Sequence, residues 1–316
     1  KVGFIGAGDI AYLHGEGVLS SPGAELTGIW NRTRSKAEEK AELFGAKVFD
    51  QPEDLIDAVD VVYVLTNMET HHGFAMQAIE AGKHVLVEKP TAVTIEEIED
   101  LKKAAETKGV QVAPVHNYIY EPSAMRAKDL IESGKLGDLV SLYILYNIHH
   151  PEEVAARYPG VIRQILTHHA YCSLYLAGAP RMVSCMKATV NDGSVPQENL
   201  AMVTMQMQSN ALSHLCASFA SDDHAGDPWT FMIKVIGTKG ATRYSYRDWV
   251  ENTPAVVHSQ TYSAYPYTIR SMGVHFLEEV IAKGKKPLST LDDAITCMRI
   301  IEACEKSVEK QSHVAL

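Results

Sequence analysis

The chain has 316 residues, enough for two domains, and its 46% hydrophobic and 22% charged content with no low-complexity tract is that of an ordinary globular protein. A formal net charge of -10 argues against a nucleic-acid partner or an anionic membrane surface, since both favour a basic footprint. No apolar run approaches the roughly eighteen residues of a membrane span and no signal peptide precedes Val2, so a cytoplasmic protein is expected.

The first 120 or so residues alternate short apolar runs with helical patterns, the signature of β-α units around a parallel sheet. Strands are expected at residues 2–5, 26–30, 61–65, 84–87 and 110–115, nearly continuous in hydrophobic residues because helices cover both faces. Between them, Thr94-Ile95-Glu96-Glu97 reads as a capping box opening a helix that Gly109 closes, and Gly82 closes the helix before His84. After Pro122 the texture changes. A helix over 123–133 and a strand over 139–147 are followed by a polar loop containing Pro151 and Pro159, then one helix over 161–177. Strands with two-residue alternation are expected at 182–190, 200–207, 212–220, 231–237 and 241–246, with a hairpin turn at Ser209-Asn210. Helices over 272–283 and 291–310 finish the chain. Strands in succession indicate a largely antiparallel sheet. The five cysteines, odd in number and without C-x-x-C, read as free thiols, with Cys297 and Cys304 sharing one buried helix face.

The run Gly6-Ala7-Gly8-Asp9-Ile10-Ala11 follows the first strand as G-x-G-x-x-A. Gly6 permits the tight turn, Gly8 lets a pyrophosphate approach the backbone, and Ala11 lets the helix pack closely on the strand. The pyrophosphate would sit on the helix N-terminus, at Asp9 and Ile10. At the end of the second strand, an NAD site normally places an acidic residue on the ribose hydroxyls. Here the sequence is Trp30-Asn31-Arg32-Thr33-Arg34. With no carboxylate to repel a 2′-phosphate, Asn31 and Thr33 as donors, and Arg32 or Arg34 as the charge-assisted contact, NADP is favoured over NAD. Arg32 could instead lie flat on the adenine.

Glu88-Lys89-Pro90 stands at the carboxyl end of the strand over 84–87, where open α/β sheets bind ligands. A lysine beside an oxidised nicotinamide has its charged form disfavoured, which suits it to proton transfer or to anchoring a hydroxyl.

With these motifs together, the chain resembles the glucose–fructose oxidoreductase / inositol dehydrogenase / rhizopine-catabolism (Gfo/Idh/MocA) family of nicotinamide-dependent oxidoreductases. The segments that carry the likeness are "GFIGAGDIA", "TNMETHH", "AGKHVLVEKP", "LIESGKLGDL", "VIGTKGATR" and "PLSTLDDAITCMRIIEACEKS", spread along the chain in the family's order. The resemblance implies an N-terminal Rossmann doubly wound parallel sheet over residues 1–120. An α/β domain with a large, mostly antiparallel open sheet follows over 121–316, its last helix open to packing back on the first domain. It further implies hydride exchange between a nicotinamide and a sugar, cyclitol or related polyol, and a homodimer or homotetramer formed through the second sheet. Carried over by position, Lys89 is the catalytic lysine and Glu88 helps hold the nicotinamide end. Thr66, Asn67 and His71 line the cofactor, and His116-Asn117 faces the nicotinamide.

The family also places an aspartate and, four residues on, a histidine at the start of the helix after the polar loop. One helical turn puts both on the same face. In this chain those positions are Gln164 and His168. Gln164 can orient by hydrogen bonding but contributes no charge, so proton transfer is expected to rest on Lys89 and His168. His169 is expected to turn away into packing or the cleft edge. In the preceding loop His149, His150, Arg157, Tyr158 and Arg163 are candidates for binding substrate hydroxyls or a carboxylate, with a polar cleft rim as the alternative.

Three histidine pairs, His71-His72, His149-His150 and His168-His169, do not make a metal motif, because adjacent histidines diverge on a helix and oppose each other on a strand. No metal is expected. Two other readings stay open: transient oxidation of a sugar to cleave a glycosidic bond, and a sensor that binds nucleotide and sugar without transferring hydride. Retention of Lys89 and His168 argues against the sensor.

Overall fold

The computed structural model describes residues 1–150, 152–190, 197–220, 229–245 and 264–316; the expected strand position at Tyr246 and Pro151 of the loop lie outside them. The chain forms two compact units, Lys1–Tyr120 with Pro266–Ile295, and Glu121–Tyr265 with Thr296–Leu316.

In the first unit, strands β1 (Val2–Ile5), β2 (Leu26–Trp30), β3 (Lys47–Val48), β4 (Val61–Val64), β5 (His84–Val87) and β6 (Val112–Pro114) form one six-stranded sheet in the order β3-β2-β1-β4-β5-β6. Every pairing is parallel. The intervening helices are α1 (Ile10–Leu19), α2 (Arg34–Phe44), α3 (Pro52–Ala58), α4 (Met68–Glu80) and α5 (Ile95–Lys108). The order reverses at β1, so the carboxyl ends of β1 and β4 open the crevice where doubly wound sheets bind nucleotides. Helix α5 starts as expected: Thr94 Oγ1 accepts from the Glu97 N–H at 3.3 Å, while the Glu97 carboxylate accepts from the Val93 N–H at 2.9 Å. Gly109 closes it at φ 67°. Strand β3 and helix α3 were not expected from sequence; two residues of strand are too short to show periodicity.

In the second unit, α6 (Pro122–Glu132), β7 (Leu139–Ile148), α7 (Glu152–Ala155), α8 (Val161–Gln164), α9 (Leu166–Ala177), β8 (Pro180–Ala188), β9 (Leu200–Met207), β10 (Leu212–Ser218), β11 (Trp229–Gly237), β12 (Ala241–Ser245) and β13 (Val314–Ala315) include a seven-stranded sheet ordered β12-β11-β7-β10-β9-β8-β13. It is antiparallel except for β7 against β10. That pair is parallel because helices and a β meander intervene, whereas β9 and β10 form a hairpin with Asn210 at φ 70°. Alternation separates the two faces. Cys185, Val203, Leu215, Ile144 and Ile233 lie opposite one another across five strands and are buried. Their neighbours Met186, Met202, Cys216, Leu145 and Met232 form the matching row on the other face, where Met186 is 78% and Met202 47% exposed.

The chain then returns to the first unit through α10 (Ala264–His275) and a π-helical turn (Phe276–Ile281) before the last helix, α11 (Leu291–Lys310). Residues 266–295 thus belong to the first compact unit, although they follow the division expected at residue 121. A Cβ on Gly17 of α1 would lie 3.8 Å from the Cα of Gly273, so the α1 and α10 backbones meet directly, and Phe276 packs on Tyr63 with ring centroids 6.4 Å apart. Most of α11 belongs to the second unit, where Cys297 and Cys304 are buried on one face as expected. Among the described residues no helix is long and apolar enough to cross a membrane.

Candidate functional site

The glycine loop has the shape a pyrophosphate requires. Gly6 adopts φ +112°, and a Cβ there would lie 2.6 Å from the Leu65 carbonyl oxygen. A Cβ on Gly8 would meet nothing within 4 Å, so its backbone faces open space, while Ala11 is fully buried against the sheet. Asn31 ties this loop to the next: its Oδ1 accepts from the Ala7 N–H at 3.1 Å, and its Nδ2 donates to the Thr33 carbonyl at 2.9 Å. Of the two arginines expected at the ribose, Arg34 is engaged elsewhere, donating to Glu38 at 2.7 Å and also pairing with Asp50. These carboxylates raise the Arg34 pKa, the Glu38 hydrogen bond first. Arg32 is exposed and makes no ion pair among the described residues.

At the end of β5, Glu88 is buried and Lys89 half-buried, with a cis peptide joining Lys89 to Pro90. The Glu88 carboxylate accepts from the Lys89 N–H at 2.9 Å through Oε2 and lies 3.0 Å from His14 Nε2 through Oε1. Burial pulls the Lys89 pKa down, and the charge of Glu88 partly restores it. Burial pushes Glu88 up, yet the hydrogen bond and charge of His14, with the charge and backbone of Lys89, bring it below the ordinary carboxylate value. On α4, His71 places Nδ1 2.8 Å from the Pro90 carbonyl and Nε2 2.9 Å from the Thr66 carbonyl. Carbonyls only accept, so a neutral ring fills one of these bonds at a time and a doubly protonated ring fills both. Either way His71 bridges the ends of β4 and β5. Asn67, at the head of α4, is exposed and does not use its side chain as a cap.

His116 and Asn117 are more deeply placed than a ligand-facing role suggests. His116 is 2% exposed, with Nδ1 2.6 Å from Ser289 Oγ, and Asn117 is 1% exposed and donates to Thr268 Oγ1 at 2.6 Å. Burial lowers the His116 pKa to about 3, which holds its ring neutral.

In the second unit, the expected single helix over 161–177 is two helices meeting at Ile165. The Thr167 hydroxyl donates to the Arg163 carbonyl at 2.7 Å, and the His168 N–H bonds to Ile165 O rather than to Gln164 O. Side-chain back-bonding of this kind bends helices, so the even one-turn spacing assumed for Gln164 and His168 is altered by a tighter turn. His168 is buried, with Nδ1 2.7 Å from the Tyr171 hydroxyl. His169 points into the core as expected. It is fully buried, has no hydrogen-bond partner on either ring nitrogen among the described residues, and burial lowers its pKa to about 3.

Arg163, expected at the substrate, gives Nε and an Nη to the Glu305 carboxylate at 2.6 and 2.8 Å. This bidentate pair fastens α8 to α11, and the carboxylate raises the arginine pKa. The His150 ring packs on Phe219 and on Tyr158, centroids 5.7 and 5.5 Å away, while His149 and Arg157 are exposed.

Two hydrogen-bond partners of candidate residues were not legible in the sequence. His14 stands three residues beyond Ala11 on the buried side of α1, and Tyr171 three residues beyond His168. In each case the i, i+3 spacing from a motif residue was the available signal. Among the described residues, no group of three or more His, Cys, Asp or Glu could hold a metal.

Comparison with known proteins follows this architecture. Residues 1–116 match the family model "Oxidoreductase family, NAD-binding Rossmann fold", and residues 124–243 match "GFO/IDH/MocA C-terminal domain". The glucose-6-phosphate 3-dehydrogenase of Bacillus subtilis is 35% identical over 77% of this chain and 74% of that protein. The scyllo-inositol 2-dehydrogenase (NADP(+)) of the same organism is 34% identical over 48% of this chain and 44% of that one. The crystal structure of scyllo-inositol dehydrogenase from Lactobacillus casei with NAD(H) and scyllo-inositol superimposes with a TM-score of 0.86 over 99% of this chain and 98% of that chain; at 17% identity this likeness speaks for the fold alone. A glycine loop open to a pyrophosphate, a glutamate–lysine pair at the end of β5 and two matched domains in sequence lead to one assignment: the chain belongs to the Gfo/Idh/MocA family of nicotinamide-dependent oxidoreductases.

Proposed function

We propose that the protein oxidises a secondary hydroxyl of a sugar, cyclitol or related polyol, or reduces the matching ketone, with NADP favoured over NAD. The observation that carries this reading is the half-buried Lys89 whose pKa is lowered by burial and steadied by Glu88 at the end of β5. Such an amine can hold a substrate hydroxyl and gives up its own proton more readily than an exposed lysine does. When bound, the nicotinamide supplies hydride acceptance or donation. The chain supplies orientation and proton transfer: Lys89 at the hydroxyl, His168 as its acid–base partner with the Tyr171 hydroxyl fixing the ring, and Gln164 as a neutral orienting group. Gly6, Gly8, Asp9, Ile10 and Ala11 would hold the pyrophosphate, with Thr66, Asn67 and His71 beside it.

The names of two relatives agree with a sugar or cyclitol substrate, and one of those names specifies NADP(+). NADP is favoured further by the absence of a carboxylate directly after β2 and by Arg32, which stands exposed without an ion pair among the described residues, while Arg34 is held by Glu38 and Asp50. A spectrophotometric screen of polyols and keto sugars with both cofactors, with calorimetric affinities alongside, tests both parts. No turnover on any of them would defeat the catalytic reading, and tighter binding of NADH than NADPH the cofactor preference. The apolar row through Met186, Met202, Cys216, Leu145 and Met232 suits the face of a second copy of the chain. A solution mass of a single chain would remove that assembly.

A further inference from the structure

We propose that His14 is a positioning residue for Lys89, acting through the buried carboxylate of Glu88. The proposal deepens the functional reading and rests on Lys89 as the proton-transfer group. His14 lies inside the first unit on α1, its side chain without exposure, and Nε2 is 3.0 Å from Glu88 Oε1. Its Nδ1 has no partner among the described residues, and its ring meets Tyr63 of β4 edge-on at 5.6 Å. A carboxylate only accepts, so the bond requires a proton on Nε2. His14 Nε2 is therefore the donor that holds Glu88 Oε1.

The other carboxylate oxygen takes the backbone N–H of Lys89. Glu88 is thus pinned at both oxygens, by α1 on one side and by the catalytic residue's own backbone on the other. Pinned in this way, its negative charge has a fixed position beside the Lys89 ammonium. Glu88 ionises more readily because of His14, and Lys89 holds its proton more firmly because of Glu88. Among the described residues, the other titratable groups packed around this turn include Tyr63 behind His14 and His71 of α4, which reaches the Pro90 carbonyl. Neither donates to the Glu88 carboxylate in the described hydrogen bonds, so α1 reaches it through His14.

The test reads Lys89 without needing a substrate. Trace labelling with acetic anhydride across a pH series, read by mass spectrometry at the Lys89 peptide, gives the midpoint of its amine. His14→Leu removes the donor, weakens ionisation of Glu88 and should lower that midpoint by about one pH unit; His14→Gln, which keeps an N–H at similar reach, should restore it. The acid limb of turnover should move with it. An unmoved midpoint in folded His14→Leu protein overturns the proposal. Should the leucine variant not fold, Glu88→Gln answers the same question: the midpoint falls if the carboxylate carries the effect, and an unmoved midpoint overturns it. A shifted midpoint in a chain that turns over no polyol retains the His14 linkage and removes the functional reading. Polyol turnover with an unmoved midpoint does the reverse.

Discussion

Lys89→Ala should lower turnover by about 10² to 10⁴ while leaving nicotinamide affinity close to that of the unchanged chain, the range expected for loss of a positioned acid–base group. That is about 3 to 5 kcal/mol of transition-state stabilisation. The direction follows from what the side chain does. A lysine on the surface could be removed at little cost, but this one is half-buried, its charged form is disfavoured by burial, and it is the cation set against buried Glu88. Alanine removes both the proton carrier and the charge opposite Glu88. Lys89→Arg restores the charge but not the chemistry, because a guanidinium stays protonated. Arginine should therefore recover substrate binding more than turnover. Steady-state rates on the best substrate of the screen, beside calorimetric cofactor affinity, decide the matter; unchanged turnover in Lys89→Ala takes Lys89 out of the mechanism.

The same residue shows how far the site could be read in advance. Glu88-Lys89-Pro90 was legible because it ends an apolar run, and a strand end in an open α/β sheet has only one place to point. The pairing of Glu88 with His14 was not legible, because those residues are 74 apart and only folding brings α1 beneath β5. His116 was read as facing the nicotinamide; the side chain is buried, and its ring lies at hydrogen-bond distance from Ser289, 173 residues on, a pairing no local pattern could report. Arg34 and Arg163 were read as available cations, and each already has a carboxylate partner on a neighbouring segment. Sequence reports which residue types can do chemistry; commitment of those groups to other partners is a property of the fold.

The elements divide along similar lines. The first sheet was legible strand by strand because buried parallel strands are continuous apolar runs. The break at Ile165 was not, since the apolar pattern continues through it; the Thr167 hydroxyl donates to the Arg163 carbonyl across the break. The return of Pro266–Ile295 to the first unit brings Gly273 against Gly17, a long-range meeting with no local signature.

Mild acid should destabilise both units, and the histidines at fault can be named. His116 in the first unit and His169 in the second are buried, and burial takes each from the ordinary value of 6.5 to about 3. Their folded pKa values are depressed, so at pH 5 the unfolded chain binds protons on both that the folded chain refuses. Stability is therefore complete above about pH 6.5 and falls as the pH drops, by about 1.4 kcal/mol per pH unit for each ring, until the folded values are reached. At pH 5 the two together cost about 4 kcal/mol, a large share of the 5 to 15 kcal/mol that holds an ordinary domain. Ion-paired carboxylates such as Asp60, also depressed, lose their contribution only as the pH falls below their unfolded values, near 4. The window from 6.5 to 5 thus belongs to the histidines. His169→Leu isolates one of them, because neither nitrogen of His169 has a hydrogen bond to lose among the described residues and leucine is of similar bulk. Denaturant titrations at pH 7 and pH 5 should show the variant's loss between the two to be about 2 kcal/mol smaller than that of the unchanged chain. Equal losses would mean that His169 takes up a proton in the folded state, against the direction its burial imposes.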